Sequence, residues 1–179
     1  MPDETRDTQT SLFDGPDYWV VYPTAYWEAA EKILDESRDN SFLLHPGLFL
    51  VRHYVELTFK QLIHGAGDDV PITHRLDVLW QKARRVPAIA KNKHASQQVL
   101  RSIAAYVKEL TTLDPTSFSF RYPVDTAGDP RGLDRVYSAR RVLEWARQLR
   151  EAFAALEGAI EIWTVEEQYR SEMLAEYGP

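Results

Sequence analysis

The chain contains no cysteine, and this absence removes several kinds of chemistry at once. Without thiols there is no disulfide, no cysteine nucleophile and no thiolate metal site. The five histidines are widely spread, which leaves few ligands for a zinc ion. Motifs of phosphate-binding loops, zinc proteases and serine hydrolases are also missing. The sequence therefore predicts no metal and no other cofactor.

Long apolar runs are absent as well. No stretch reaches the roughly 18–20 residues that span a bilayer, and the first ten residues, MPDETRDTQT, are too polar for a signal peptide. We therefore expect a cytoplasmic protein with no membrane contact. With 179 residues, 44% of them hydrophobic, the chain suits one packed domain. The predicted boundaries are a flexible acidic tail over 1–17, a helical domain over 18–170 and a C-terminal tail over 171–179.

Charge is distributed unevenly along the chain. The net charge is −6, but residues 75–150 carry 15 Lys or Arg against 7 Asp or Glu. Acidic ends around a basic middle fit an anionic partner for the middle, and they also fit an uneven but fully solvated surface. No tight cluster of Lys and Arg decides between the two.

Helical periodicity covers most of the chain, and no alternating strand pattern appears, so the sequence predicts an all-α bundle of four to five helices. A long irregular loop, rich in Pro and Gly, precedes the last helix. In that helix apolar residues recur in steps of 4 and 3, as in helices that lie along other helices, and core packing is the preferred interpretation. The predicted helices cover 25–37 (with Thr24 as N-cap), 47–64, 76–83 (capped by Thr73), 91–113 and 133–170.

A polar stripe stands out in the second helix, RHYVELTFKQLIH. Arg52, Glu56, Lys60 and His64 recur every fourth residue, with His53 beside them. Side chains four apart are neighbours on a helix, so Glu56 lies between a cation on each adjacent turn. The stripe is either an exposed ladder of ion pairs or, because the helix is otherwise largely apolar, a cluster that faces a ligand, a partner or another charged helix.

The loop sequence FSFRYPVD supplies further candidates. Arg121 could contact a phosphate or a base, with Tyr122 stacking on a base. Alternatively, Arg121 pairs with Asp125 or with Glu56 and fixes the loop, an interpretation that we favour. His74 fits a capping or core histidine.

Three segments together resemble the HEPN superfamily of small all-α domains, over about residues 20 to 165. They are a helix of the form RHxxELxxKxLI, a short helix introduced by HxLxxLW, and an FRYP loop before the last helix. In this chain the matching positions are Arg52, His53, Glu56, Leu57, Lys60, Leu62 and Ile63; His74, Leu76, Leu79 and Trp80; and Phe120, Arg121, Tyr122 and Pro123.

The resemblance implies a helical bundle, often dimeric, that is frequently encoded in prokaryotic defence or toxin–antitoxin systems. Many members are metal-independent ribonucleases whose signature is an Arg followed, after four to six residues, by a His. Arg38 and His45 fit that spacing at its longest, but they flank a predicted turn. Another pair, such as Arg121 and His53, would also supply the acid–base and charge-stabilising groups.

Three functions therefore remain open from the sequence. We favour a noncatalytic HEPN-like module that binds RNA or a nucleotide, or that serves as a partner subunit in such a system. The first alternative is a metal-independent HEPN ribonuclease. The second is a structural bundle that forms a homodimer through the apolar seam of its last helix.

Overall fold

The computed structural model describes residues 18–115, 117–122 and 138–178. All regular structure in these ranges is helical, which confirms the all-α prediction and the long C-terminal helix. The predicted N-terminal tail over 1–17, most of the long loop and the predicted start of the last helix at 133 lie outside the described residues. The helices are α1 (Tyr18–Glu36), α2 (Leu44–Gly65, after a 3-10 turn at Ser41–Leu43), α3 (Leu76–Ala83), α4 (Pro87–Ala90), α5 (Gln97–Leu113) and α6 (Ala139–Tyr177).

Helices α1 and α2 form a close pair joined by a short connection. Gly47 allows this approach, because a Cβ there would lie 2.6 Å from Leu34 Cδ2 of α1. Helix α2 then packs on α3, and α6 contacts α1, α4 and α5. The backbones of α1 and α2 therefore approach closely at Gly47.

Aromatic rings from four helices meet in the core. Phe59 of α2 lies 5.4 Å from Trp80 of α3 and 5.6 Å from Phe153 of α6, measured between ring centroids. Tyr54 joins Phe153 to Trp27 of α1 at 5.6 and 5.7 Å. Edge-on and tilted pairs of this kind add to the stabilisation that comes from burying the rings.

The apolar seam of the last helix is confirmed as core packing over most of its length. Its residues from Val142 to Leu156 are buried against the helices of the same chain. Beyond Ile160 the helix continues as far as Tyr177 with mostly exposed side chains, although Trp163 of the seam is half-buried, so its end was predicted too early, at 170. Residues 171–177 belong to α6.

Two other predicted boundaries were wrong for physical reasons. Helix α1 begins at Tyr18, seven residues before the predicted start, and has Pro23 buried in its interior. Thr24 is therefore not an N-cap. A proline inside a helix costs about 3 kcal/mol, and the burial of Pro23 and of other α1 side chains against the bundle offsets that cost. Helix α2 begins at Leu44, three residues before the predicted start at 47. Pro46 lies in its first turn, where a backbone N–H has no intrahelical partner, so the proline does not interrupt the helix.

The predicted fourth helix, 91–113, starts later than predicted, at Gln97, and the short helix α4 before it was not predicted, so the described residues contain six α-helices rather than five. Asn92 lies in the connection between α4 and α5: its side-chain amide donates to the carbonyls of Ala88 and Ala159, and its Oδ1 accepts the His94 N–H. Ser96 then caps α5 by accepting the Val99 N–H at 3.2 Å. The predicted capping of α3 by Thr73 was wrong, because Arg75 occupies the N-cap position and the Thr73 hydroxyl accepts the Arg75 N–H two residues later, before the helix begins. No described helix is both long and apolar enough to cross a bilayer.

Candidate functional site

The polar stripe of α2 is mainly buried. Arg52 and Glu56 are each 1% exposed, and Arg52 Nη1 lies 3.3 Å from Glu56 Oε2. Arg52 Nη2 donates to the backbone carbonyl of His74 at 2.6 Å. An exposed ion-pair ladder is therefore the wrong interpretation for these two residues, because neighbouring elements cover this side of the helix. Only the last member of the stripe, His64, is exposed, and its ring contacts Trp19 of α1.

Glu56 is the acceptor at the centre of this network. Its Oε1 accepts from Lys60 Nζ at 2.7 Å and lies 2.9 Å from His74 Nδ1. Burial alone would raise the pKa of the Glu56 carboxyl, but the hydrogen bonds from Lys60 and His74 outweigh it and the pKa is lowered. Glu56 is consequently held as a buried carboxylate. His74 is mostly exposed and is neither a core residue nor the N-cap of α3.

Asp114, at the C-terminal end of α5, completes the network and was not predicted. Its Oδ2 lies 3.3 Å from Arg52 Nε, and its backbone carbonyl accepts the Nε–H at 3.3 Å. Burial lowers the pKa of the Arg52 guanidinium, and the charges of Asp114 and Glu56 oppose that effect. The sequence did contain one signal for this role: Asp114 precedes Pro115, and an Asp before a Pro often starts a turn that its carboxylate stabilises.

The turn after Asp114 presents Arg121 and Tyr122 at the surface. Asp114 Oδ1 accepts the N–H groups of Phe118 and Ser119 at 2.7 and 2.9 Å. The N–H groups of Arg121 and Tyr122 both donate to the Phe118 carbonyl, at 3.1 and 3.2 Å. The buried Arg52 therefore helps to fix, through Asp114, the loop that carries the two exposed side chains.

Arg121 packs among aromatic rings. Its guanidinium carbon lies 5.8 Å from the centroid of Phe49 and 5.7 Å from that of Tyr122, and its Nε donates to the Ser117 carbonyl. Tyr122 in turn stacks on Phe118 with centroids 4.3 Å apart. The predicted pair of Arg121 with Glu56 was wrong, because Glu56 pairs with Arg52, Lys60 and His74 instead. Asp125, the other predicted partner, lies outside the described residues.

The rings continue from Phe49 onto α1. His53 stacks on Phe49 at 5.8 Å and meets Tyr26 edge-on at 4.5 Å. Tyr22 follows at 6.5 Å from Tyr26, and Tyr18 at 6.2 Å from Tyr22. We call this set the aromatic row; its members are Tyr18, Tyr22, Tyr26, His53, Phe49, Arg121 and Tyr122. Tyr122 and Tyr18, at the two ends of the row, are 47% and 36% exposed, so the row has accessible rings at both of its ends.

The candidate catalytic residues have other contacts. Arg38 pairs with Asp35 one turn earlier at 3.1 Å, and within the described ranges no hydrogen bond or ion pair joins it to His45. His45 lies in the first turn of α2 and is half-buried. His53 is part of the aromatic row, where burial lowers the pKa of its imidazole and favours the neutral ring.

The described residues contain no group of three or more His, Asp or Glu side chains arranged to hold a metal ion. Comparisons with models of protein families, with curated proteins and with solved structures found no match for this chain.

Proposed function

We propose that this protein is a noncatalytic HEPN-like module that binds single-stranded RNA on the aromatic row. The observation that carries the proposal is the series of ring contacts from Tyr18 to Phe49, which the Arg121 guanidinium joins to the exposed Tyr122. Rings that stack on bases, combined with a cation that meets the backbone phosphates, are the usual elements of single-strand recognition.

The buried network supports this role by holding the loop. Single-strand binding by stacking loses affinity when the stacking side chain must first be ordered. Here Asp114 fixes the turn from below, and Phe118 stacks on one face of Tyr122. The Tyr122 ring is thus oriented before a base arrives. The resemblance to the HEPN superfamily extends the proposal to a subunit of a prokaryotic defence or toxin–antitoxin system.

Fluorescence anisotropy with labelled single-stranded RNA in EDTA tests the proposal. We expect Tyr122→Ala to weaken binding by roughly tenfold, because stacking on one base contributes about 1–3 kcal/mol. Arg121→Gln should have a similar effect, because a hydrogen bond between charged groups contributes about 1.5–3 kcal/mol. The matched control is Phe42→Ala, an aromatic residue that is 89% exposed and lies outside the aromatic row. Affinity that stays within twofold of wild type in both variants would contradict the proposal.

The same samples distinguish a ribonuclease from a binding module. We expect the RNA to remain intact in EDTA with the wild-type protein and with His53→Ala. Cleavage that is lost in His53→Ala or in His45→Ala would instead assign the metal-independent ribonuclease, and the variant that lost it would identify the base.

Self-association is a second candidate function, and one observation favours it. The exposed end of α6 carries apolar residues in steps of 3 or 4, which place them on one face of the helix. These residues are Ile162, Val165, Tyr169, Met173 and Tyr177. The seam from Val142 to Leu156 is already buried against helices of the same chain, so a dimer would form through the exposed C-terminal end of α6 instead. Sedimentation at several protein concentrations, with Tyr169→Glu as the variant expected to be monomeric, tests it.

A further inference from the structure

A cleft separate from the aromatic row lies where α3, α4 and α5 meet. Its volume is about 750 Å³, within the range of roughly 300–1,000 Å³ that is typical of small-molecule sites. Leu100 and Ala104, both half-buried, contribute apolar surface, and the buried Trp80 and Ile89 lie beneath the lining. The full set of lining residues contains three arginines and no Asp or Glu.

The three arginines, Arg84, Arg85 and Arg101, are exposed and carry no ion pair with any described residue. Arg75, at the start of the same α3 segment, shows the contrast, since its guanidinium lies 2.6 Å from Asp77. Three unpaired guanidinium groups around one concavity produce a strongly positive potential, which is favourable for a multiply charged anion.

The back of the cleft is held in place by the connection between α4 and α5. Asn92 lines the cleft, and its side chain is fully used: it bonds to Ala88, to Ala159 of α6 and to the His94 N–H. The amides of Gln81 and Gln97 also line the cleft. The cleft therefore combines a fixed, partly apolar wall with polar groups at its edge.

We propose that this cleft binds a small molecule that carries two or more phosphate groups together with an apolar or ring-containing part. Arginine forks bind phosphate oxygens in pairs of hydrogen bonds, and three of them match a diphosphate better than a single phosphate. The apolar surface at Leu100 and Ala104 would take the uncharged part of the ligand. A long RNA strand would use the charges but little of the concave wall, so the small ligand is favoured.

Isothermal titration calorimetry of the full chain with ADP and with inorganic pyrophosphate, at low salt, tests the proposal. We expect one ADP per chain, weaker binding of pyrophosphate, and affinities that fall as salt rises. Arg84→Gln and Arg101→Gln should each weaken ADP binding by roughly tenfold, because each removes charge-assisted hydrogen bonds. Both residues are exposed, and unchanged circular dichroism and thermal unfolding would verify that the variants fold.

The matched control is Arg140→Gln, an exposed arginine of α6 that pairs with Glu144 and does not line the cleft. Its ADP affinity should stay within twofold of wild type. Absence of heat with both ligands at millimolar concentration would overturn the proposal. So would ADP binding that is unchanged in both variants, or RNA binding that depends on Arg84 and Arg101 in a protein that does not bind ADP.

Discussion

The arginine of α2 and the arginines of the cleft have the same side chain and opposite surroundings. Arg52 is buried, and its guanidinium donates to Glu56, to Asp114 and to the His74 carbonyl. Arg84 and Arg101 are exposed, face a cleft and have no carboxylate partner among the described residues. In the first region the protein itself supplies the anions that pair with the arginine. In the second region the arginines have no such anion from the described protein and are available to bind an anionic ligand.

The difference teaches which charges hold the fold and which are available for binding. Removing one partner from a buried ion pair is costly, because the remaining charge stays buried without compensation. An exposed cation is solvated by water, so its removal hardly changes stability. Substitutions in the buried network should therefore lower stability, whereas substitutions in the cleft should lower ligand affinity and leave stability nearly unchanged.

The largest effect is expected for Arg52→Met. This change leaves Asp114 and Glu56 buried with one cation fewer, and the free energy of unfolding should fall by about 3–5 kcal/mol. Urea denaturation at neutral pH measures it. Arg147→Met is the matched control, because Arg147 pairs with Glu31 at the surface and its loss should cost less than about 1 kcal/mol. A loss below 1 kcal/mol for Arg52→Met would show that the buried network does not stabilise the fold.

A smaller effect is expected for Glu56→Gln. The amide cannot accept from Arg52, Lys60 and His74 together, because its N–H₂ group faces one of these donors, and we expect a loss of about 2–3 kcal/mol at pH 7. The lowered pKa of Glu56 means that its stabilisation is complete above the ordinary value of 4.5 and is lost as the pH falls through the folded-state pKa.

Unfolding of both proteins from pH 7 down into this acidic range checks the sign of that effect. The difference in unfolding free energy between wild type and Glu56→Gln should narrow as the pH falls below about 4.5. A difference that widens with acid would show that Glu56 is not held as a carboxylate.

The smallest effect on stability is expected for the double substitution Arg84→Gln and Arg101→Gln. Because both side chains are exposed and unpaired in the described structure, the free energy of unfolding should change by less than about 0.5 kcal/mol. The sharpest form of the comparison measures ADP affinity and urea stability on the same preparations. A clear loss of stability would indicate that these arginines have structural partners.

Local patterns predicted the helices and the polar stripe, because both depend on residues three or four apart. They could not predict that Arg52 and Glu56 are buried, since the partner that completes the network, Asp114, lies 62 residues after Arg52. They also missed the start of α1, where Pro23 resembles a signal for a helix beginning and is instead accommodated within the helix.

The cleft was beyond sequence reasoning for the same reason. Arg84 and Arg85 follow α3, whereas Arg101 lies in α5, and only the packing of these segments brings them to one cavity. The excess of positive charge over residues 75–150 was visible in the sequence. The sequence did not show whether these positive side chains are spread over the surface or collected around one cleft.

Gly47 has a consequence that reaches the aromatic row. The row crosses from α1 to α2 where Tyr26 meets His53, with ring centroids 4.5 Å apart, and this contact depends on the distance between the two helices. Any side chain at position 47 would meet the buried Leu34, and the helices or that leucine would have to move. Because Gly47 has no side chain, α1 and α2 lie close enough for the rings of Tyr26 and His53 to stay in contact.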